Sequence, residues 1–290
     1  MRHSPSRRLP GWLKRPLPTD NTYQHTAQVL ADLGLQTVCH HARCPNRTEC
    51  YGQKTATFLL LGPICTRRCR FCSVPKGRIQ PPDPTEPARV AEAAHRLGLQ
   101  HVVLTMVTRD DLPDGGADHL VRTIQTIRTR LPGATVEVLI SDLAGNWQAL
   151  DHLLAAEPDV LNHNCETVPR LYPEVRSPPA DYRRTLALFR HAHRSRPLLP
   201  LKTGLMLGLG ETEEELLETL ADLAEAGCRL LTLGQYLQPT PEQIPVVRYV
   251  RPEEFERFGQ WARQLGFRQV ASGPFVRSSY HAHQMLADSL

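Results

Sequence analysis

Six of the chain's eight cysteines fall within 34 residues, as two triplets of different spacing, Cys39-x4-Cys44-x5-Cys50 and Cys65-x3-Cys69-x2-Cys72. Thiols placed this densely are either oxidised in pairs or filled with metal, and the redox compartment decides which. Nothing in the sequence reads as secreted. No charged-then-apolar leader opens the chain, and no run approaches the roughly 18 apolar residues of a spanning helix. A reducing, cytoplasmic setting is expected, with no membrane association, and there clustered thiolates bind metal.

Spacing alone leaves the metal open. Structural zinc takes four closed ligands, commonly from paired Cys-x2-Cys knuckles, whereas each triplet here offers three. Two sets of three suit cubane iron–sulfur clusters, in which one iron can take a different ligand. His40 and His41, beside Cys39, would complete a zinc site instead, and thiols that bind nothing are the third reading. Cys165 and Cys228 stand alone and read as small buried apolar residues.

The net charge of +4 is local. Residues 1–20 carry Arg2, Arg7, Arg8, Lys14 and Arg15 against Asp20 alone, which leaves 29 basic and 29 acidic residues in the remainder. A balanced body gives no sign of a nucleic-acid-binding face. The N-terminal excess reads as a solvated basic arm or as a contact for an acidic partner. Pro5, Pro10, Pro16 and Pro18 spoil the amphipathic helix of a transit peptide.

After residue 55, short apolar runs alternate with helical patterns. Strands are expected at Thr57–Leu61, His101–Thr105, Thr135–Ile140, Asp159–Asn162, Leu201–Leu207 and Arg229–Gly234. Val90, Ala93, Ala94 and Leu97 recur at helical spacing and stop at Gly98. Leu216, Leu220 and Leu223 follow a capping-box pair, Thr212 and Glu215. Six strand–helix units predict an α/β fold of parallel strands, a partial (β/α)6 barrel spanning 55–266. Residues 1–54, carrying the first triplet, and 267–290 are expected to be extensions that close the mouth.

Barrel enzymes gather their chemistry where strands end. Cys65–Cys72 follows the first strand and Asp110-Asp111 with Asp114-Gly115-Gly116 the second. Asn162-His163-Asn164-Cys165-Glu166 follows the fourth, Gly208-Leu209-Gly210-Glu211 the fifth and Gln235-Tyr236 the sixth. Gly-Gly is as often a plain turn, and Gly-x-Gly-Glu a plain helix start; sharing one rim with three thiols is what makes these stretches candidates for a small-molecule site.

The stretch from Thr55 to Cys72, with Phe71 before the last cysteine, resembles the cluster loop of radical S-adenosylmethionine (SAM) enzymes. More narrowly, the chain resembles the lipoyl synthase family. The resemblance runs from about Pro10 to about Ala282, through the Cys39–Cys50 triplet, Arg109–Ala117, Asn162–Val168, Gly234–Pro239 and Arg277-Ser278-Ser279-Tyr280. A biotin-synthase-like enzyme would not need the first triplet or the terminal serines. An iron–sulfur carrier or zinc protein would release its metal and leave SAM uncleaved.

The resemblance implies two 4Fe–4S clusters. Cys65, Cys69 and Cys72 would hold the one that reductively cleaves SAM to a 5′-deoxyadenosyl radical. Cys39, Cys44 and Cys50 would hold an auxiliary cluster, completed by Ser279 in preference to Ser278 and consumed as sulfur donor. The substrate it implies is an octanoyl-lysine on a lipoyl carrier protein or domain, such as a glycine cleavage H protein or a 2-oxoacid dehydrogenase E2 subunit. An electron donor such as ferredoxin or flavodoxin and a cluster carrier for repair are further implied partners. Phe71, Gly115, Gly116, Asn164, Glu166 and Arg176 are the SAM-site candidates, with Ala117 standing where many radical SAM enzymes have a Glu after Gly-Gly.

Overall fold

Strands form where β-branched and leucine residues cluster between turn signals, and the central ones are buried on both faces. The structure, a computed structural model, describes residues 9–14 and 22–287. The expected basic arm lies largely outside the described residues, Arg2, Arg7, Arg8 and Arg15 included. The strands are β1 (Thr57–Leu60), β2 (His101–Met106), β3 (Thr135–Leu139), β4 (Val160–Asn162), β5 (Leu201–Leu207), β6 (Leu230–Gln235) and β7 (Gln269–Gly273). They pair in sequence order, and every neighbouring pair is parallel. The sheet curls without joining β1 to β7, as an open α/β barrel. It has seven strands rather than six: β7 lies within the stretch read as C-terminal extension, because Gln269–Gly273 has little of the apolar content that marks the others.

The helices, in chain order, are α1 (Thr22–Asp32), α2 (Val38–His41), α3 (Arg47–Gly52), α4 (Glu86–Leu97), α5 (Ala117–Arg130), α6 (Trp147–Ala155), α7 (Tyr172–Val175), α8 (Tyr182–Ser195), α9 (Glu213–Glu225), α10 (Pro252–Gln264) and α11 (Ala282–Ala287). Both sequence-read boundaries hold. α4 ends on Gly98 in the left-handed conformation, and Thr212 and Glu215 form a reciprocal capping box on α9. Cys165 and Cys228 are fully buried in the core.

Two features set the depth of the barrel. Side chains two apart on a strand share a face, so Glu137 lies one layer below Leu139, and Lys202 one layer below Gly204. In that lower layer Lys202 Nζ bonds both Glu137 carboxylate oxygens at 2.9 and 3.0 Å, and Asn162 Nδ2 donates to Glu137 Oε1 at 2.9 Å. Lys202 and Glu137 are 0% and 1% exposed. Below them α11 packs Met285 and Leu286 with Val160 and Leu230, the first residues of β4 and β6. Burial alone would raise the Glu137 carboxyl pKa, but the charge of Lys202, the nearby His101 ring and bonds from Asn162 and Lys202 hold it below the usual value.

Removing one partner of a buried ion pair strands the other charge. Lys202→Met should therefore cost about 3–5 kcal/mol in a denaturation curve, whereas Glu137→Leu with Lys202→Met should recover most of it.

Candidate active site

The C-terminal ends of the strands surround a cavity of about 440 Å³, and all six clustered cysteines line it. Its lower wall comes from the strands themselves, including Leu59, Thr105, Leu139, Gly204 and Thr232.

The Cys65–Cys72 loop leaves β1 through Leu61 and Gly62, both with positive φ. It is tied down on three sides. Thr66 Oγ1 donates to Thr108 O at 2.9 Å, Arg70 N to Val175 O at 3.0 Å, and Ile244 N to Arg70 O at 3.0 Å. Between the cysteines sits Arg67, only 3% exposed. Its guanidinium bonds Asp110 at 2.9 and 2.8 Å and Asp142 at 2.6 Å, while its own amide donates to Cys65 Sγ at 3.4 Å. Asp142 also receives Arg184 at 3.2 Å. Burial would raise the Asp142 carboxyl, yet the bond and charge of Arg67 outweigh it and hold the pKa down at about 2.

The other triplet is built on two short helices. Thr37 caps α2, accepting from His40 N, and places Cys39 in its first turn; Cys50 lies on α3. Thr37 Oγ1 and Tyr51 OH meet at 2.8 Å, and Tyr51 stacks on Tyr23 of α1. The C-terminal segment closes over this unit. Asn46 Nδ2 donates to Phe275 O at 2.7 Å, and Tyr280 OH to Glu49 Oε1 at 2.8 Å. Gly234 makes room for that segment, since a Cβ there would stand 2.1 Å from Val276 O. Both serines of the terminal stretch reach the cavity wall; Ser278 Oγ donates to Asn164 Oδ1 at 2.7 Å.

No disulfide joins any of the eight cysteines, all of them described. Burial pushes the Cys39 and Cys72 thiols up to about 11, and in Cys72 the neighbouring Cys69 and Cys65 add to the rise against the lowering charge of Lys76. Those two thiols are shifted toward the protonated form at neutral pH, and any metal bound there would have to displace the proton. Among the described residues, no three His, Cys, Asp or Glu side chains gather tightly enough to grip one ion. Three sulfurs spread round a roomy cavity are a donor set suited to a cluster, in which each thiolate takes a different iron.

Asn164, Glu166 and Arg176 come together on the same wall. Asn164 Nδ2 donates to Glu166 Oε1 at 3.2 Å, and an Arg176 nitrogen lies 3.7 Å from the same oxygen. Glu166 holds φ 72° because its backbone is stitched into the sheet, its N–H to Gly204 O and its C=O to Met206 N. Burial raises its carboxyl pKa against the opposing charge of Arg176. Arg176 Nε is buried without a partner, a donor of the kind a ligand carboxylate would use. Phe71 lines the cavity too and packs with the cluster around Tyr236 and Val175.

A model of the "Radical SAM superfamily" matches residues 59–223, and one of the "N-terminal domain of lipoyl synthase of Radical_SAM family" matches residues 1–44. The lipoyl synthase of Rhodopirellula baltica is 55% identical over 280 residues, covering 96% of this chain and 88% of that one. That of Thermus thermophilus is 52% identical over 287 residues, covering 98% and 88%. The chain belongs to the lipoyl synthase family. Two solved structures share its fold at low identity. The FeFe-hydrogenase maturase HydG from Carboxydothermus hydrogenoformans gives a TM-score of 0.57 at 15% identity, over 93% of this chain and 79% of that one. Coproporphyrinogen III oxidase from Escherichia coli gives 0.51 at 18%, over 72% and 52%.

Within this family member, the sequence-read candidates do not all meet. Gly115 and Gly116 are absent from the cavity lining. Gly115 packs on Leu143 beside a separate cleft, and a Cβ on Gly116 would strike Leu61 Cδ1 at 2.3 Å. Their positive φ angles serve the turn into α5. What β2 sends to the cavity is Thr105 to Thr108, some ten residues earlier. Gly208-Leu209-Gly210-Glu211 is likewise a helix start outside it, with Glu211 accepting from Gly208 N and Leu209 N. Arg67 and Asp142 were not singled out by sequence. The signal for Asp142 is the one used elsewhere, a polar residue in the loop that follows a strand, here three positions past the end of β3.

Asp142 keeps its charge well below the ordinary carboxylate pKa of 3.8, so it stabilises the fold above about pH 4 and stops doing so as pH falls toward 2. The unfolding free-energy gap between the cluster-free wild type and Asp142→Asn should shrink by about 2 kcal/mol across that window.

Proposed function

We propose that this chain inserts sulfur at C6 and C8 of an octanoyl group carried on a lysine of a lipoyl carrier protein or domain, with SAM as co-substrate. The observation that carries the proposal is that both cysteine triplets line one cavity.

Cys65, Cys69 and Cys72 are the proposed ligands of one 4Fe–4S cluster, and Cys39, Cys44, Cys50 and Ser279 of the other. When bound, these groups supply an electron for cleavage of SAM on one side and sulfide for transfer on the other. Three protein ligands leave a fourth position for the amino-acid end of SAM. The partnerless Arg176 Nε supports that placing, as a donor for the SAM carboxylate; Asn164 and Glu166 beside it suit the amino group. Phe71 would flank the same ligand. The assignment of Ser279 rests on its neighbour, for the Ser278 hydroxyl already bonds Asn164. Leu59, Leu139 and Val107 give the cavity an apolar share of wall, which suits an alkyl chain and keeps water from a reactive radical.

A carrier domain would present its octanoyl-lysine at the mouth. We further propose a low-potential donor such as ferredoxin or flavodoxin, a cluster carrier for repair, and a cytoplasmic setting in which the thiols stay reduced. No helix among the described residues is long and apolar enough to cross a membrane.

Anaerobically reconstituted protein should hold about eight irons as two cubanes. Given SAM and a reductant, it should convert an octanoyl-lysine peptide to a product heavier by two sulfurs and lighter by two hydrogens. Cys69→Ala should lose SAM cleavage. Cys44→Ala should still form 5′-deoxyadenosine and yield no thiolated peptide; normal product from that variant would place the sulfur source elsewhere.

A further inference from the structure

We infer that the buried Glu137–Lys202–Asn162 layer is the floor of the acyl site, and that it measures the length of the acyl chain. The inference rests on the proposed octanoyl substrate and adds the determinant of its length.

Three strands place the floor. Leu139 and Gly204 line the cavity, and so does Asn164 just past β4. Two positions earlier on the same chain stretches are Glu137, Lys202 and Asn162, about 6–7 Å deeper. Glu137 bonds the other two at 2.9 to 3.0 Å, all three are 0–1% exposed, and they form the layer directly beneath the cavity's own lining. Above this layer the cavity wall is built of Leu59, Leu139 and the methyl-bearing Thr105 and Thr232, against which methylenes pack. Gly204 keeps the lumen open just above the floor, where a Cβ would stand 2.6 Å from Thr232 Oγ1. Below it, Met285 and Leu286 of α11 close the barrel from the far end.

An alkyl chain descending between these walls gains from each methylene buried until it reaches the bottom of the lining, which the ion pair backs. A longer chain must then buckle or break charge-assisted bonds in a site that water cannot reach to replace them. Asn162 Oδ1, buried and without a partner, makes the floor still less hospitable to a methyl group. The floor contains no cysteine and touches neither triplet, so it selects the chain without taking part in the chemistry.

The test uses cluster-reconstituted protein and one lysine peptide carrying hexanoyl, octanoyl, decanoyl or dodecanoyl groups. Affinity measured by calorimetry should rise to octanoyl and then drop by at least about tenfold at decanoyl, the scale on which apolar pockets discriminate single methylenes. Affinity that keeps rising through dodecanoyl would overturn the inference. Glu137→Leu with Lys202→Met, which gives the floor an apolar surface of similar volume, should shrink the octanoyl-over-decanoyl preference by about tenfold in both affinity and kcat/KM. An unchanged preference in a folded variant would also overturn it. If the variant does not fold, the wild-type chain-length series decides alone. Wild-type protein that never thiolates the octanoyl peptide would instead sink the sulfur-insertion reading.

Discussion

The two thiol triplets share one cavity because the segments before and after the sheet are bound together over the strand ends. The first triplet belongs to a segment that precedes the barrel, and the terminal serines to one that follows it. Among the described residues, neither segment forms a sheet of its own, though Gln36 and Thr37 pair with β1. Asn46 Nδ2 on Phe275 O and Tyr280 OH on Glu49 join the two segments, and the missing side chain at Gly234 lets Val276 settle against β6. The cavity exists to the extent that this closure holds, since the strands alone supply only its lower wall.

The opposite triplet is held by a different device. The loop carries its three thiols between backbone ties to Thr108, Val175 and Ile244, and Arg67 adds a fork that reaches the loops after β2 and β3 at once through Asp110 and Asp142. Asp142 sits at the head of a turn in which Leu143 and Ala144 both hold positive φ, a conformation that costs non-glycine residues about 1–2 kcal/mol each. Leu143, 3% exposed, is packed against Gly115. The turn is strained where it aims a carboxylate at the cluster loop, and packing holds it there.

Much of this was legible in the sequence, and what was not has identifiable physics. Six strands could be read within about a residue at each end because their apolar runs are bounded by turn residues. β7 escaped because Gln269–Gly273 is half-buried throughout and carries only Val270 and Ala271 as apolar residues. The triplets announced themselves by spacing, since a thiolate has few other reasons to recur so closely. Gly115 and Gly116 were legible as glycines that something required, but sequence does not say whether a ligand or a neighbouring leucine imposes the requirement. Arg67, Glu137 and Lys202 were invisible for a shared reason. A charged residue in a string looks solvated, and only the fold reveals a partner 65 residues away, as between Glu137 and Lys202.

The polar groups around the cavity are engaged in a way that matches the chemistry proposed there. Its lining includes one acid, one imidazole and two phenols among the described residues. Glu166 is held by Asn164 and Arg176. His163 is locked between Ile140 O and Thr185, with burial pushing its pKa down to about 4, so it stays neutral at physiological pH. Tyr236 and Tyr280 give their hydroxyls to Ile244 O and Glu49. A reaction that removed an acidic proton would need a base poised toward substrate near neutral pH, and these four are committed elsewhere. Taking hydrogen from an unactivated alkyl carbon needs none of them. It needs a dry wall, a fixed chain and two places to hold inorganic clusters, and the sequence spends its unusual residues on those.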